Sequence, residues 1–219
     1  INLTADKIGI YFSLEEQMAL ELDKRQTAVL VMDLENDLIH EEGAFKDFGF
    51  AQMVKDNDVL GKTNSLLAAA RQAQVKVIYV SVKFRPGHPE VSRNTGLFQA
   101  VVDANALVEG TWGAEIHEAV KPREGEPVVT KRAVSAFAAS DLEKILQASG
   151  INTLVLSGVA TNFVVEGTAR EAADRGYNVV VVGDCCASMS QEAHDSALTT
   201  ALPFLATLTT SDEVAAALG

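Results

Sequence analysis

The sequence predicts an α/β domain built on a central, mainly parallel sheet of six strands with helices on both faces. Three observations predict it. Short, almost wholly apolar runs recur along the chain, as strands buried on both faces require. They alternate with longer segments whose apolar residues fall at three- and four-residue steps, the spacing of one helix face. No Gly/Ser/Pro-rich linker and no internal repeat interrupts the alternation, so residues 27–219 read as one domain and residues 1–26 as an N-terminal arm.

Each element has its own warrant. In the arm, Ser13 and Glu16 stand at capping-box spacing ahead of Met18, Leu20 and Leu22, which predicts a short helix suited to packing on a neighbouring subunit. Residues 27–33 are apolar until Asp33 and form the first strand, central because neither face is polar. A polar loop over 34–45 leads to a helical segment over 53–74. Residues 75–83 are the second strand, and the glycine and two prolines within 84–90 carry the chain away as a loop. Residues 94–120 read as loop and short helices, and 127–131 as the third strand, ending at Lys131.

Ser140 and Glu143 repeat the capping-box spacing at the start of a helix that Gly150 stops. The fourth strand, 153–156, runs into a turn of small residues, Ser157-Gly-Val-Ala-Thr-Asn162, where Thr161 or Asn162 is placed to cap the next helix. That helix carries Val164, Val165, Thr168, Ala169 and Ala172 at helical steps. Residues 178–182 make the fifth strand, 191–201 a helix, 205–209 a weaker sixth strand, and a terminal helix closes the chain. The whole is a three-layer, Rossmann-like arrangement.

Composition narrows the function. With 18 Lys and Arg against 30 Asp and Glu, the net charge is −12, so nucleic acid and anionic membrane surfaces would be repelled. Apolar runs such as 179–182 are far too short to span a bilayer, and no basic n-region followed by an apolar run opens the sequence, so a cytoplasmic location is expected. The two cysteines, Cys185 and Cys186, are adjacent, which suits reduced, buried thiols better than a disulfide framework or a zinc site.

Three strand ends are chemically interesting. Asp33, Lys131 and the turn at Ala160 to Val164 each follow an apolar strand, so a parallel sheet projects all of them at one edge, where ligands sit in open α/β folds. An ammonium beside a carboxylate holds it in place while burial and charge set its pKa for proton transfer; the same pair also makes a salt bridge that merely braces two strands. A strand feeding a helix through a tight turn aims backbone N–H groups and a positive dipole end at one spot, a site for an anion or a developing oxyanion.

These residues resemble the isochorismatase-like hydrolases. Asp33-Leu-Glu-Asn-Asp37, Lys131 with Ser135-Ala-Phe137, and Gly158-Val-Ala-Thr-Asn162 followed by Thr168-Ala-Arg170 are similar to the three signature segments of that superfamily, which includes isochorismatases, nicotinamidases and N-carbamoyl amidohydrolases. Trp112-Gly-Ala-Glu115 and Asp184-Cys-Cys-Ala-Ser188 are similar to further family segments, so the resemblance runs from about residue 27 onward.

The resemblance implies a hydrolase acting on a small molecule, with Asp33 as the catalytic acid or base and Lys131 as its partner. It puts the cysteine nucleophile of the amidase members at position 164, which here is Val164. A valine offers no thiolate, so covalent chemistry at that position is closed. Isochorismatases also lack the cysteine and protonate a vinyl ether from the aspartate before water adds, so hydrolysis of a vinyl ether, ester or amide without a thiol is the expected activity. A non-catalytic metabolite-binding relative and an amidohydrolase whose nucleophile was replaced by Val164 are the alternatives.

By the same matching, the Ala160 and Val164 N–H groups are the oxyanion hole, and the Val159–Ala160 peptide is cis. Glu35 stands where the family commonly has Gln, placing a second carboxylate near Asp33 that raises the pKa of one of them, unless it is a solvent-facing loop residue. Phe84, His88, Trp112, Phe137, Asn162 and Phe163 are the remaining candidates for the substrate pocket. The Asp and two His that hold a metal in nicotinamidases have no counterpart at ligand spacing among His40, His88, His117 and His194, so no metal and no cofactor is expected. A homodimer or homotetramer is the family-based expectation.

Overall fold

The computed structural model describes residues 20–219, and in it six strands form one sheet in the order β3-β2-β1-β4-β5-β6. They are β1 (Thr27–Met32), β2 (Lys76–Val82), β3 (Val128–Lys131), β4 (Thr153–Val159), β5 (Asn178–Ala187) and β6 (Thr207–Thr209). Every pairing is parallel, so the sheet is wholly rather than mainly parallel. β1 is buried along its whole length because its residues alternate between two cores. Val29 and Val31 face one cluster, and Ala28, Leu30 and Met32 face the other.

Besides one α-helical turn, Asn36–Ile39, inside the segment expected to be a polar loop, the α-helices among the described residues are α1 (Phe50–Asp56), α2 (Val59–Gln72), α3 (Gly96–Asp103), α4 (Leu142–Ala148), α5 (Glu166–Asp174), α6 (Gln191–Ser196) and α7 (Ser211–Leu218). α1, α2 and α7 supply Met53, Leu66, Leu67 and Val214 to one core, while α4 and α5 supply Leu142, Leu146, Ala169 and Ala172 to the other. Helices therefore cover both faces, as the apolar strands demand.

Four local expectations are corrected. The helix expected over 53–74 is two helices, broken at Asp58, whose φ is +50°. β5 runs to Ala187 rather than stopping at residue 182, with a register shift against β4 between Leu156 and Gly158 that accommodates the polar interruption Gly183-Asp184. Ser140 makes no capping box; its hydroxyl donates to Ala136 O and accepts from Leu142 N. Neither Thr161 nor Asn162 caps its helix: a π-helical turn, Thr161–Val165, precedes α5, and both side chains tie it to the exit of β5. Thr161 Oγ1 donates to Ala187 O at 3.0 Å, and Ser188 Oγ donates to Asn162 Oδ1 at 2.6 Å.

The short helix expected near Ser13 lies outside the described residues, although Leu20 and Leu22 pack against the α1/α2 core. Among the described residues no helix is long and apolar enough to cross a membrane.

Candidate active site

The sheet order reverses direction between β1 and β4, the switch point at which connections leave toward opposite faces. Asp33 follows β1 there with φ +52°, a left-handed conformation that a non-glycine residue adopts at some energetic cost, and its N–H donates to Val80 O at 2.9 Å. Across β2, at the end of β3, Lys131 reaches back so that its Nζ lies 2.8 Å from Asp33 Oδ2. The same ammonium donates to Ala133 O at 2.7 Å and Val134 O at 2.9 Å, which occupies all three of its protons. Both side chains are buried, and Asp33 Oδ1 has no hydrogen-bond partner. Burial pushes the Asp33 carboxyl up to about 6, against the opposing pull of Lys131.

The third component is the turn after β4. Gly158 has φ +136°, and a Cβ there would sit 2.0 Å from Met32 O, so only glycine lets β4 pass this close to the end of β1. The Val159–Ala160 peptide is cis. Beyond it the π turn brings Val164, 1% exposed, to the same cavity as Asp33, Lys131 and Ala160.

That cavity has a volume of about 370 Å³. Of the candidate pocket residues, Phe84 and Phe163 line it. The rest of its wall was not anticipated. Phe45 and Phe48 come from the segment before α1, Phe50 from its first residue, Leu97 and Phe98 from α3, and Leu107 from the loop beyond it. The one sequence signal available was local: three of the chain's nine phenylalanines fall within residues 45–50. Asp37 fastens these segments together, its carboxylate accepting from Leu107 N at 2.7 Å and Ala44 N at 3.2 Å.

Five of the pocket candidates stand elsewhere. Glu35 is neither at the cavity wall nor solvent-facing: it is fully buried, with Oε1 accepting from Val82 N at 2.9 Å at the end of β2 and Oε2 unpartnered. Burial first, and then the charge of Asp33, push its carboxyl up to about 8. His88 sits behind Phe84, its Nε2 held 2.8 Å from Ala106 O. Trp112 is 46% exposed and meets His40 edge-on. Phe137 belongs to the opposite core, stacked on Tyr177 and covered by the Arg175 guanidinium. Asn162 is committed to Ser188.

Cys185 and Cys186 do not line the cavity; both are buried, and burial pushes the Cys186 thiol up to about 12 and that of Cys185 higher still. Among the described residues no group of three or more His, Cys, Asp and Glu side chains is arranged to hold a metal ion. The fold does bring His40 and His117 together, ring centres 5.7 Å apart, although they are far apart in sequence. Each spends its Nδ1 accepting a backbone N–H, from Glu42 and Ala119 respectively.

The isochorismatase domain model matches residues 27–213. An isochorismatase family protein of Escherichia coli O157:H7, YecD, is 30% identical over 199 residues, covering 91% of this chain and all of its own length. The ureidoacrylate amidohydrolase RutB of Methylorubrum extorquens is 28% identical over 181 residues, 77% of this chain and 72% of that protein. A cysteine hydrolase from Pseudomonas syringae pv. phaseolicola has the same fold, with a TM-score of 0.81 at 26% identity, over 91% of this chain and 95% of that one. The chain is therefore a member of the isochorismatase family of hydrolases.

Proposed function

We propose that the protein hydrolyses a small ester or amide by direct attack of water, with Asp33 as the proton carrier and without a covalent enzyme intermediate. The observation that carries this reading is the division of labour at Asp33. Oδ2 is fixed by Lys131, whereas Oδ1 is buried, unpartnered and part of a carboxyl that lines the cavity. A carboxyl near 6 is largely ionised at neutral pH and still basic enough to accept a proton in a transition state.

In the proposed step the oxygen of water bonds to the substrate carbonyl carbon and its proton passes to Asp33 Oδ1. The carbonyl oxygen takes up negative charge beside the turn that carries Ala160 and Val164, whose N–H groups are its proposed donors. Collapse breaks the bond to the leaving oxygen or nitrogen, which takes the proton back from Asp33. The products are a carboxylic acid and an alcohol or amine, and the enzyme returns to its starting state. Lys131 orients Asp33 and offsets its charge, since its protons are already committed. Val164 supplies shape only. Relatives named as amidohydrolases support an acyl substrate over other hydrolysable bonds.

The test is a panel of neutral esters and anilides assayed with the wild type and Asp33→Asn. The expected result is turnover by the wild type, a loss of about 10²–10⁴-fold in Asp33→Asn, and no acyl adduct in mass spectra of the quenched wild-type enzyme. Full turnover by Asp33→Asn, or a stable acyl adduct on the wild type, would refute it. A vinyl ether substrate, favoured by the missing nucleophile at 164, would need Asp33 protonated to donate to the alkene carbon. Its rate would then fall as pH rises through about 6, whereas acyl hydrolysis falls as pH drops below that value.

A further inference from the structure

We infer that the site accepts substrates without charge, whose non-reacting part is an aryl or alkyl group, and that it rejects carboxylates. This rests on the hydrolase reading above and concerns what that site admits. Among the described residues, Asp33 and Lys131 are the only charged groups lining the cavity; the rest of its wall is aliphatic, aromatic, glycine or, at Met189, a thioether.

The one cation at the wall is not available to a ligand anion. The Lys131 ammonium is saturated by Asp33 Oδ2, Ala133 O and Val134 O. Arg132, next to it in sequence, lies outside the lining, with its guanidinium on Lys83 O, Glu90 and Glu109. A substrate carboxylate would therefore enter an apolar enclosure, find no unpaired cation and lie near a like charge, an arrangement that buried ions avoid. A substrate ammonium would meet only Asp33, whose charge Lys131 already offsets at 2.8 Å, and would lie near that like-charged ammonium.

What the wall does offer is contact with apolar surface. Phe45, Phe84 and Phe98 present rings to a volume of about 370 Å³, near the lower end of the roughly 300–1,000 Å³ typical of small-molecule sites. One ring or a short alkyl chain beside the scissile group suits it. Phe48, Leu97 and Met189 are 47%, 38% and 38% exposed and also line the cavity, so the apolar character continues out to solvent, with no charged group among these mouth residues.

The test uses a matched set of probes: benzamide and its 3- and 4-carboxylates, titrated into the wild-type protein by calorimetry at pH 7.5. Benzamide is expected to bind at least 30-fold more tightly than either carboxylate. Leu97→Arg changes an exposed cavity-lining position of α3 and places a guanidinium there; it should improve carboxylate affinity at least tenfold and leave the melting temperature within a few degrees. Equal or tighter binding of a carboxylate to the wild type, binding by none of the three probes, or no gain in Leu97→Arg would overturn the inference. The readout is binding, so it is independent of whether Asp33 performs the chemistry: a loss of turnover in Asp33→Asn tests the hydrolase reading, and the ranking of probes tests this one.

Discussion

Glu35 Oε1 accepts the Val82 N–H at 2.9 Å, so a fully buried carboxyl closes the end of β2 immediately beside the Asp33–Lys131 pair. Its folded-state pKa of about 8 lies above its ordinary value of 4.5, so between those values the folded protein holds a proton that the unfolded chain releases. Stability conferred by that proton is present below about 4.5 and is lost as pH rises through about 8. Asp33, held up to about 6, also titrates within this window, but it is present in both the wild type and Glu35→Gln, so their difference reports Glu35. Glu35→Gln keeps an acceptor for Val82 and abolishes the titration. The wild type should therefore lose stability relative to Glu35→Gln between pH 5 and 8, by a few kcal/mol at most, in denaturant titrations run across that range.

Lys131→Met removes the opposite charge and the hydrogen bond that hold the Asp33 carboxyl down. Its pKa then moves above about 6, and the acidic limb of the rate profile should shift to higher pH by about one unit or more. Two backbone carbonyls and a buried carboxylate also lose their donor, so the variant should be destabilised by about 3–5 kcal/mol. A pH–rate profile paired with a denaturant titration checks both parts.

Native wild-type protein should resist alkylation by iodoacetamide, because both cysteines are buried and burial raises their thiols. Val164→Cys puts a thiol at the cavity wall beside Asp33 and Lys131. That variant should take up a single label and form an acyl adduct with an activated ester, both visible by intact-mass spectrometry. Labelling of the wild type at an equal rate would contradict this placement.

Gly158→Ala should be among the most damaging single changes in the sheet. The added methyl meets Met32 O at 2.0 Å, and the φ of +136° is one that L side chains rarely adopt. A loss of about 3–5 kcal/mol is expected, measurable as a lower denaturation midpoint, accompanied by loss of binding in the adjoining cavity.

The parts of the molecule legible in the sequence are those with a strong period or a fixed place on the sheet. Apolar runs such as 27–32 announce strands because burial on two faces leaves no polar residue to dilute the signal. Asp33, Lys131 and Ala160 could be grouped without coordinates because a parallel sheet sends the ends of all its strands to one edge. The continuation of β5 past residue 182 was hidden because Gly183 and Asp184 look like a stop, whereas the Asp184 carboxylate is in fact spent on the N–H and hydroxyl of Ser211 at the start of α7. The cavity wall was the least legible. Phe45, Phe48 and Phe50 sit in a short 3-10 turn, its approach and the first residue of α1, too little regular backbone for a period to record which way a ring points. Trp112 and Phe137 were misplaced for the same reason: nearness to a motif in sequence does not select the side of the sheet that a side chain reaches.

The acid, the ammonium and the turn stand on strand ends, while most of the aromatic enclosure comes from the segments around residues 45–50 and 96–107. In the proposed reaction, chemistry and recognition thereby fall to separable stretches of polypeptide. Loop grafting at those two segments, with the sheet left untouched, is the natural route to redirecting this scaffold toward new compounds, and drift in the same segments is how sister lineages would come to diverge in diet while sharing one chemical engine.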